Sequence, residues 1–68
     1  MKFIKTGKSQ WYAKHDNHFY CIIRVGYNYL AVVTDLEGNR IPSTKRICDT
    51  KKLAEQHLQK LCNLGLSS

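Results

Sequence analysis

Alternating apolar and polar positions define the clearest β-strand of the chain, His18–Val25. A period of two places neighbouring side chains on opposite faces of a sheet. One face of this strand is apolar throughout and carries Phe19, Cys21, Ile23 and Val25. The other face is mixed and carries His18, Tyr20, Ile22 and Arg24. The pattern predicts a strand that buries its apolar face.

Three further segments have the composition of strands: Gln10–Lys14, Tyr29–Asp35 and Arg40–Ile47. Turn signals separate them, because Asp, Asn and Gly at positions 16, 17 and 38 tolerate positive φ. Pro42 cannot donate to a ladder, so we expect its strand to lie at an edge of the sheet. The short segment Lys2–Thr6 is a candidate additional strand.

A helical period replaces the strand period after residue 50. One stripe of the predicted helix carries Leu53, Ala54, His57, Leu58, Leu61 and Cys62. Asp49 or Thr50 supplies the N-cap, and Gly65 suits the position just past the helix end. We expect the stripe to pack on the apolar face of His18–Val25 and residues 66–68 to fray. The prediction is a single α+β domain, 1–68, with a small antiparallel sheet of three to four strands and one C-terminal amphipathic helix packed on one face.

Charge narrows the choice of partners. The chain has 11 Lys and Arg against 5 Asp and Glu, a net charge of +6, which favours nucleic acid or an acidic protein face. A plain solvated basic surface is the alternative explanation. Residues 1–14 and 40–52 hold most of the positive charge. If these two segments lie side by side they form one patch, and if they lie apart the case for nucleic acid weakens.

Cysteine and histidine spacing indicates neither a metal site nor a catalytic centre. His18 and Cys21 differ by an odd number and therefore face opposite ways on one strand. Cys48 stands just before a helix N-terminus, which lowers thiol pKa values, but no base or oxyanion hole accompanies it. We expect no enzymatic activity, no cofactor and no metal. The three cysteines form no closed disulfide set and no long apolar run is present, so we expect a reduced, cytoplasmic protein without membrane contact.

Basic and aromatic residues supply the candidate binding site. The candidate contacts for nucleic acid or another acidic partner are Arg24, Arg40, Lys45, Arg46, Lys51 and Lys52. Secondary candidates are Lys8, Trp11, Lys14 and Tyr27. Exposed aromatic rings can stack on bases, although in so small a domain Trp11 and Tyr12 are better explained as core residues of the sheet.

The stretch from Lys45 to Leu61 resembles the end of the arm-type DNA-binding domain of phage and transposon tyrosine integrases, a three-stranded sheet followed by one helix. Thr50-Lys51-Lys52 with Ala54 and Glu55 matches the helix start of that family, and Trp11–Lys14 and Phe19–Ile23 are similar to its first strands. The chain departs from the family at Tyr27–Tyr29, which lengthens a hairpin. The resemblance implies that a sheet face enters the DNA major groove, with contacts from Arg24, Arg40, Lys45 and Arg46.

Two functions fit these observations. The first is a small accessory protein of phage or mobile-element type that binds nucleic acid, DNA rather than RNA, through a basic surface. The alternative is an inhibitor or adaptor of the same type that binds an acidic site on a host protein, such as a nucleic-acid-binding enzyme. Basic residues on one continuous face with exposed aromatics favour the first function. An exposed apolar patch or an uncovered strand edge favours the second.

Overall fold

The computed structural model describes residues 1–65 as five antiparallel strands followed by one helix. The elements are β1 Ile4–Gly7, β2 Gln10–His15, β3 His18–Val25, β4 Asn28–Asp35, β5 Arg40–Cys48 and α1 Lys51–Leu64. The order of strands in the sheet follows the chain, so β1 and β5 are its edges. The α+β class is confirmed, and Pro42 lies on an edge strand as expected. The sheet has five strands rather than three to four, because β1 also pairs with β2. The expected fraying of residues 66–68 lies outside the described range.

Tight turns fix the register of the meander. Asp16 and Asn17 both have positive φ, 48° and 64°, and this conformation closes a two-residue hairpin between β2 and β3. Gly26 has a φ of 64° in the turn between β3 and β4. In the last turn, the Asp35 carboxylate accepts hydrogen bonds from the backbone N–H groups of Glu37 and Asn39, each at 2.9 Å. Because the connections are short, strands that follow one another in the chain are also neighbours in the sheet.

The helix covers the mixed face of β3, so the prediction that it covers the apolar face was wrong. The buried cluster under the helix consists of Tyr20, Ile22, Ala31, Val33, Cys48, Ala54 and Leu58. Small side chains explain the choice of face, since Ala13 and Ala31 on the sheet and Ala54 on the helix are at most 4% exposed. Alanine lets two backbones approach closely and still pack densely. The register of the paired strands places no alanine on the sheet face that points away from the helix.

The helix begins and ends as its capping residues dictate. Thr50 is the N-cap, and its hydroxyl accepts a hydrogen bond from the Leu53 backbone N–H at 3.1 Å. Gly65 adopts the left-handed conformation, and its N–H donates to the Cys62 carbonyl. Leu58 is fully buried, whereas Leu53 is 47% exposed, which corrects the predicted stripe. The helix is rotated so that its contact line runs through Ala54 and Leu58 and leaves Leu53 at the margin.

A buried threonine joins β5 to both the sheet and the helix. The Thr44 hydroxyl accepts from the Val33 backbone N–H at 2.9 Å and donates to the Ile41 carbonyl at 2.7 Å. The Thr44 carbonyl lies 2.9 Å from His57 Nε2, which donates to it. Thr44 therefore takes over ladder bonds where the pairing of β4 and β5 is irregular, between Ala31 and Val33. His57 has a structural role here.

Candidate functional site

One end of the sheet gathers segments that are far apart in sequence. Cys48, at the end of β5, stands opposite Tyr29, and Tyr29 stands opposite Arg24 at the end of β3. The Arg24 backbone N–H donates to the Ser9 carbonyl at 2.9 Å, which ties in the turn between β1 and β2. We call this region the basic end and define it by Lys5, Lys8, Trp11, Arg24, Tyr27, Tyr29, Lys51 and Lys52.

Trp11 lies at the centre of the basic end. Its ring centroid is 6.2 Å from that of Tyr29, in a tilted arrangement. The Nζ of Lys5 lies 5.9 Å from the Trp11 centroid, and the Nζ of Lys51 lies 5.1 Å from it. Both distances are within the range of cation–π attraction. The N-terminal basic segment and the basic helix start therefore lie side by side, both in contact range of one indole ring.

The helix start strengthens the positive field. Lys51 and Lys52 are the first two helical residues, and the first turn contains no acid. A helix N-terminus carries a partial positive charge of its own, so these lysines are electrostatically unfavourable there. Lys51 is 3.7 Å from Glu55, but both side chains are more than a third exposed and such a pair contributes little. A bound anion would relieve the repulsion at this end of the molecule.

Tyr27 extends the basic end into solvent. It lies in the turn between β3 and β4 and is 93% exposed, so its ring contributes nothing to the core. Next to it, the Nε–H of Arg24 donates to the Gly26 carbonyl at 3.2 Å. An aromatic ring and a guanidinium group are thus presented together at the tip of a hairpin. This combination suits a ligand that offers both flat rings and negative charge.

The structure separates the sequence-predicted site residues. Arg24, Lys51 and Lys52, with the secondary candidates Lys8, Trp11 and Tyr27, lie at the basic end. The remaining candidates, Arg40, Lys45, Arg46 and Lys14, lie elsewhere. Arg46 stands opposite Ala31 and, with His57 and Lys60, lines a groove of about 340 Å³ between β5 and the helix.

Arg40 is opposite Thr34 at the far end of β5, Lys14 is opposite Phe19, and Lys45 is exposed on β5. Lys5 and Tyr29 were not among the site residues predicted from the sequence. Their place in the site depends on strand register, which sets Lys5 opposite Trp11.

Acidic residues collect at the other end of the sheet. Asp16 lies in the turn between β2 and β3, and Asp35 and Glu37 lie around the turn between β4 and β5. Hydrogen bonds from the backbone and side chain of Asn39 lower the pKa of Asp35, and the Glu37 and Gly38 amides add to the effect. Asp35 is therefore ionised across the physiological range. The other two acids, Asp49 and Glu55, lie near the helix start, and Lys14 and Arg40 lie near the acidic turns, so the separation of charge between the two ends is partial.

The helix start that follows Cys48 does not give this thiol a lowered pKa. Burial raises the pKa of Cys48, although the Arg46 charge opposes it, and burial also raises the pKa of Cys21. Burial, aided by the neighbouring Cys62, raises the pKa of Tyr20 to about 12. The three cysteines are unpaired thiols in the fold. Among residues 1–65, no group of three or more His, Cys, Asp or Glu side chains is arranged to hold a metal ion.

The sheet face away from the helix, which we call the open face, is mostly apolar. Its apolar members are Ile4, Tyr12, Phe19, Cys21, Ile23, Val25, Leu30, Val32 and Ile47, as the strand register places them. The integrase resemblance implies that a sheet face carries the DNA contacts. Among the residues that it implies, Arg40 and, by alternation with Arg46, Lys45 belong to the open face, whereas Arg24 and Arg46 stand on the helix side. The nine apolar residues of the open face still match a phosphate backbone poorly.

No protein-family model, curated protein or solved structure matches this chain. Within the described residues, no helix has the length and apolarity needed to cross a membrane. The arguments about function that follow rest on the geometry of the two surfaces.

Proposed function

We propose that this protein binds nucleic acid through the basic end, as a small accessory protein of phage or mobile-element type. The observation that carries the proposal is the placement of Lys5 and Lys51 against Trp11, because it joins the two basic segments into one surface. Backbone phosphates would contact the lysines and the helix N-terminus. Such contacts fix position on a strand without reading its sequence.

Tyr27 makes the proposal more specific. Its exposed ring stands at a hairpin tip beside Arg24, where an unpaired base can stack on it while phosphates lie on the lysines. Stacking on an aromatic side chain is worth about 1–3 kcal/mol per base. Single-stranded DNA is therefore the preferred ligand, since its bases are free to leave the stack.

Fluorescence anisotropy with labelled single-stranded and duplex oligonucleotides tests the proposal. Five cations at the basic end, if all contact phosphates of a single strand, give a slope of about −3.5 in log K against log salt concentration. Trp11 is the only tryptophan, so its emission should also change on binding. The key variant is the double substitution of Lys5 and Lys51 by Ala, which should weaken binding about tenfold or more and reduce the slope by about 1.4.

A matched control removes the same charge elsewhere. Lys14 and Lys60 are both exposed and lie outside the basic end, so their double substitution by Ala should leave most of the affinity intact. Equal losses in the two double variants would show that only net charge matters. Failure of the parent protein to bind any oligonucleotide at about 50 mM salt would contradict the proposal and favour an acidic protein as the partner of the basic end.

A further inference from the structure

The open face is a second surface whose composition folding alone does not explain. Ile4, Val25 and Ile47 are each more than half exposed there, at 56%, 54% and 55%. The helix packs on the opposite face, and on this one only Leu30 and Val32 among the apolar members are buried, at 8% and 1% exposed. A contiguous apolar patch on a small soluble domain usually marks an interaction site.

A groove gives the open face a shape that a partner can enter. It has a volume of about 280 Å³, and its lining includes Tyr12, Phe19, Cys21 and Ile23. The rings of Tyr12 and Phe19 meet edge to face, with centroids 5.9 Å apart, and form one rigid wall. All of the residues that line the groove belong to the adjacent strands β1 to β4 except Gly38, which lies in the turn between β4 and β5. The groove can accept a few apolar side chains of a partner.

Charge on the open face indicates the chemistry of that partner. Lys14, Arg40 and, by alternation with Arg46, Lys45 are the charged residues at its strand positions, and no carboxylate falls at those positions in the described chain. Lys14 stands opposite Phe19 and Arg40 opposite Thr34, and both of these partners line the groove. In the adjoining turn, the Asp35 carboxylate is engaged by Asn39. The rim is therefore positive and the floor apolar.

We propose that the open face docks an apolar segment of another protein that carries acidic residues beside its apolar side chains. The apolar side chains would fill the groove, and the acids would meet Arg40 and Lys14. A nucleic acid is a poor occupant, because its phosphates would face isoleucine, valine and phenylalanine. A second copy of this chain is also disfavoured, because it would bring another positive rim to the same interface.

Selection from a displayed library of random peptides, each of about 12 residues, supplies the probe. Enriched peptides should combine apolar residues with Asp or Glu. For one such synthetic peptide, both Ile4→Glu and Arg40→Glu should raise Kd about tenfold or more. Ile4 stands opposite Tyr12 of the groove and is 56% exposed, so its replacement should leave the fold intact. Replacing the acids of the peptide with Lys should restore binding to the Arg40→Glu variant and weaken binding to the parent.

Matched controls place the same charges elsewhere. Leu64→Glu changes an apolar residue that is 70% exposed on the helix, and Arg46→Glu reverses a charge on the helix side. Neither should alter peptide affinity. The proposal is overturned if selection enriches no peptide, if the enriched peptides lack acids, or if the open-face variants bind normally. It is also overturned if light scattering shows a dimer that Ile4→Glu dissociates, since a second copy is then the occupant.

Discussion

Replacing Leu58 with Ala should destabilise the fold far more than replacing Leu53, five positions earlier on the same helix. Leu58 is 0% exposed and lies in the cluster with Tyr20 and Ile22, whereas Leu53 is 47% exposed. Removing a fully buried leucine side chain costs about 2–5 kcal/mol, because apolar contacts are lost and a cavity remains. A partly exposed leucine at the margin should cost no more than about 1 kcal/mol.

The size of the domain turns this difference into a large shift in Tm. At about 0.05–0.15 kcal/mol per residue, a chain of 68 residues has a free energy of unfolding of about 3–10 kcal/mol. Its entropy of unfolding is about 0.14 kcal/mol/K, from about 2.1 cal/mol/K per residue. A loss of about 3 kcal/mol therefore lowers Tm by about 20 °C. A loss of 1 kcal/mol lowers it by about 7 °C.

Thermal unfolding followed by far-ultraviolet circular dichroism measures both variants under the same conditions. The result also tests which side of the helix faces the sheet, because rotating the helix about its axis would bury Leu53 and expose Leu58. Equal Tm values for Leu58→Ala and Leu53→Ala, or a larger loss for Leu53→Ala, would refute the packing argument. Urea titration gives an independent value, and an unchanged m-value would confirm that both variants unfold from a similar native state.

Three further predictions follow from single features of the structure. Tyr27→Ala should weaken binding of single-stranded DNA by about 1–3 kcal/mol in an anisotropy titration, whereas Tyr27→Phe should bind normally. Unchanged affinity of the Tyr27→Ala variant would exclude stacking on this ring. The pKa of Asp35 is lower in the folded state, so its contribution to stability is present above its unfolded pKa of about 3.9 and is lost as pH falls through the folded value. The Asp35→Asn variant should therefore lose less stability than the parent in acid unfolding below about pH 4. An equal fall in the stability of both proteins over that pH range would contradict this. A chelator should leave Tm and the circular dichroism spectrum unchanged, whereas a large loss of structure would reveal a metal site.

Periodicity was sufficient to predict the helix and the main strands but not the face on which they pack. Both faces of β3 carry large apolar residues, and the uniformly apolar face looked like the better core. The helix covers the other face because the small residues Ala13 and Ala31 lie there, on two different strands. Which residues from different strands share a face depends on register, and register is a property of pairs of strands. A single strand pattern carries no such information.

The candidate site was predicted in part for the same reason. Lys51 and Lys52 belong to a local feature, a helix start, and Tyr27 belongs to a turn, so each was recognisable from neighbouring residues. Lys5 joins them only because β1 pairs with β2 and sets it opposite Trp11. Arg40 was grouped with the helix start because it lies close to it in sequence. β5 has nine residues in extended conformation, so it carries Arg40 about 25 Å away from its other end.

This distance has a consequence for the two proposed surfaces. The basic end lies at the helix start, and Arg40 lies at the opposite end of β5, on the other side of the sheet. Charges about 25 Å apart interact weakly at physiological salt, where the Debye length is about 8 Å. Nucleic acid on the basic end should therefore not repel peptide acids held at Arg40, and because the groove itself reaches Trp11 of the basic end, any competition between the two ligands should be steric. The Kd of a selected acidic peptide should agree within about twofold with and without saturating single-stranded DNA. A large increase in Kd would show that the two ligands compete, and the model of two independent surfaces would then fail.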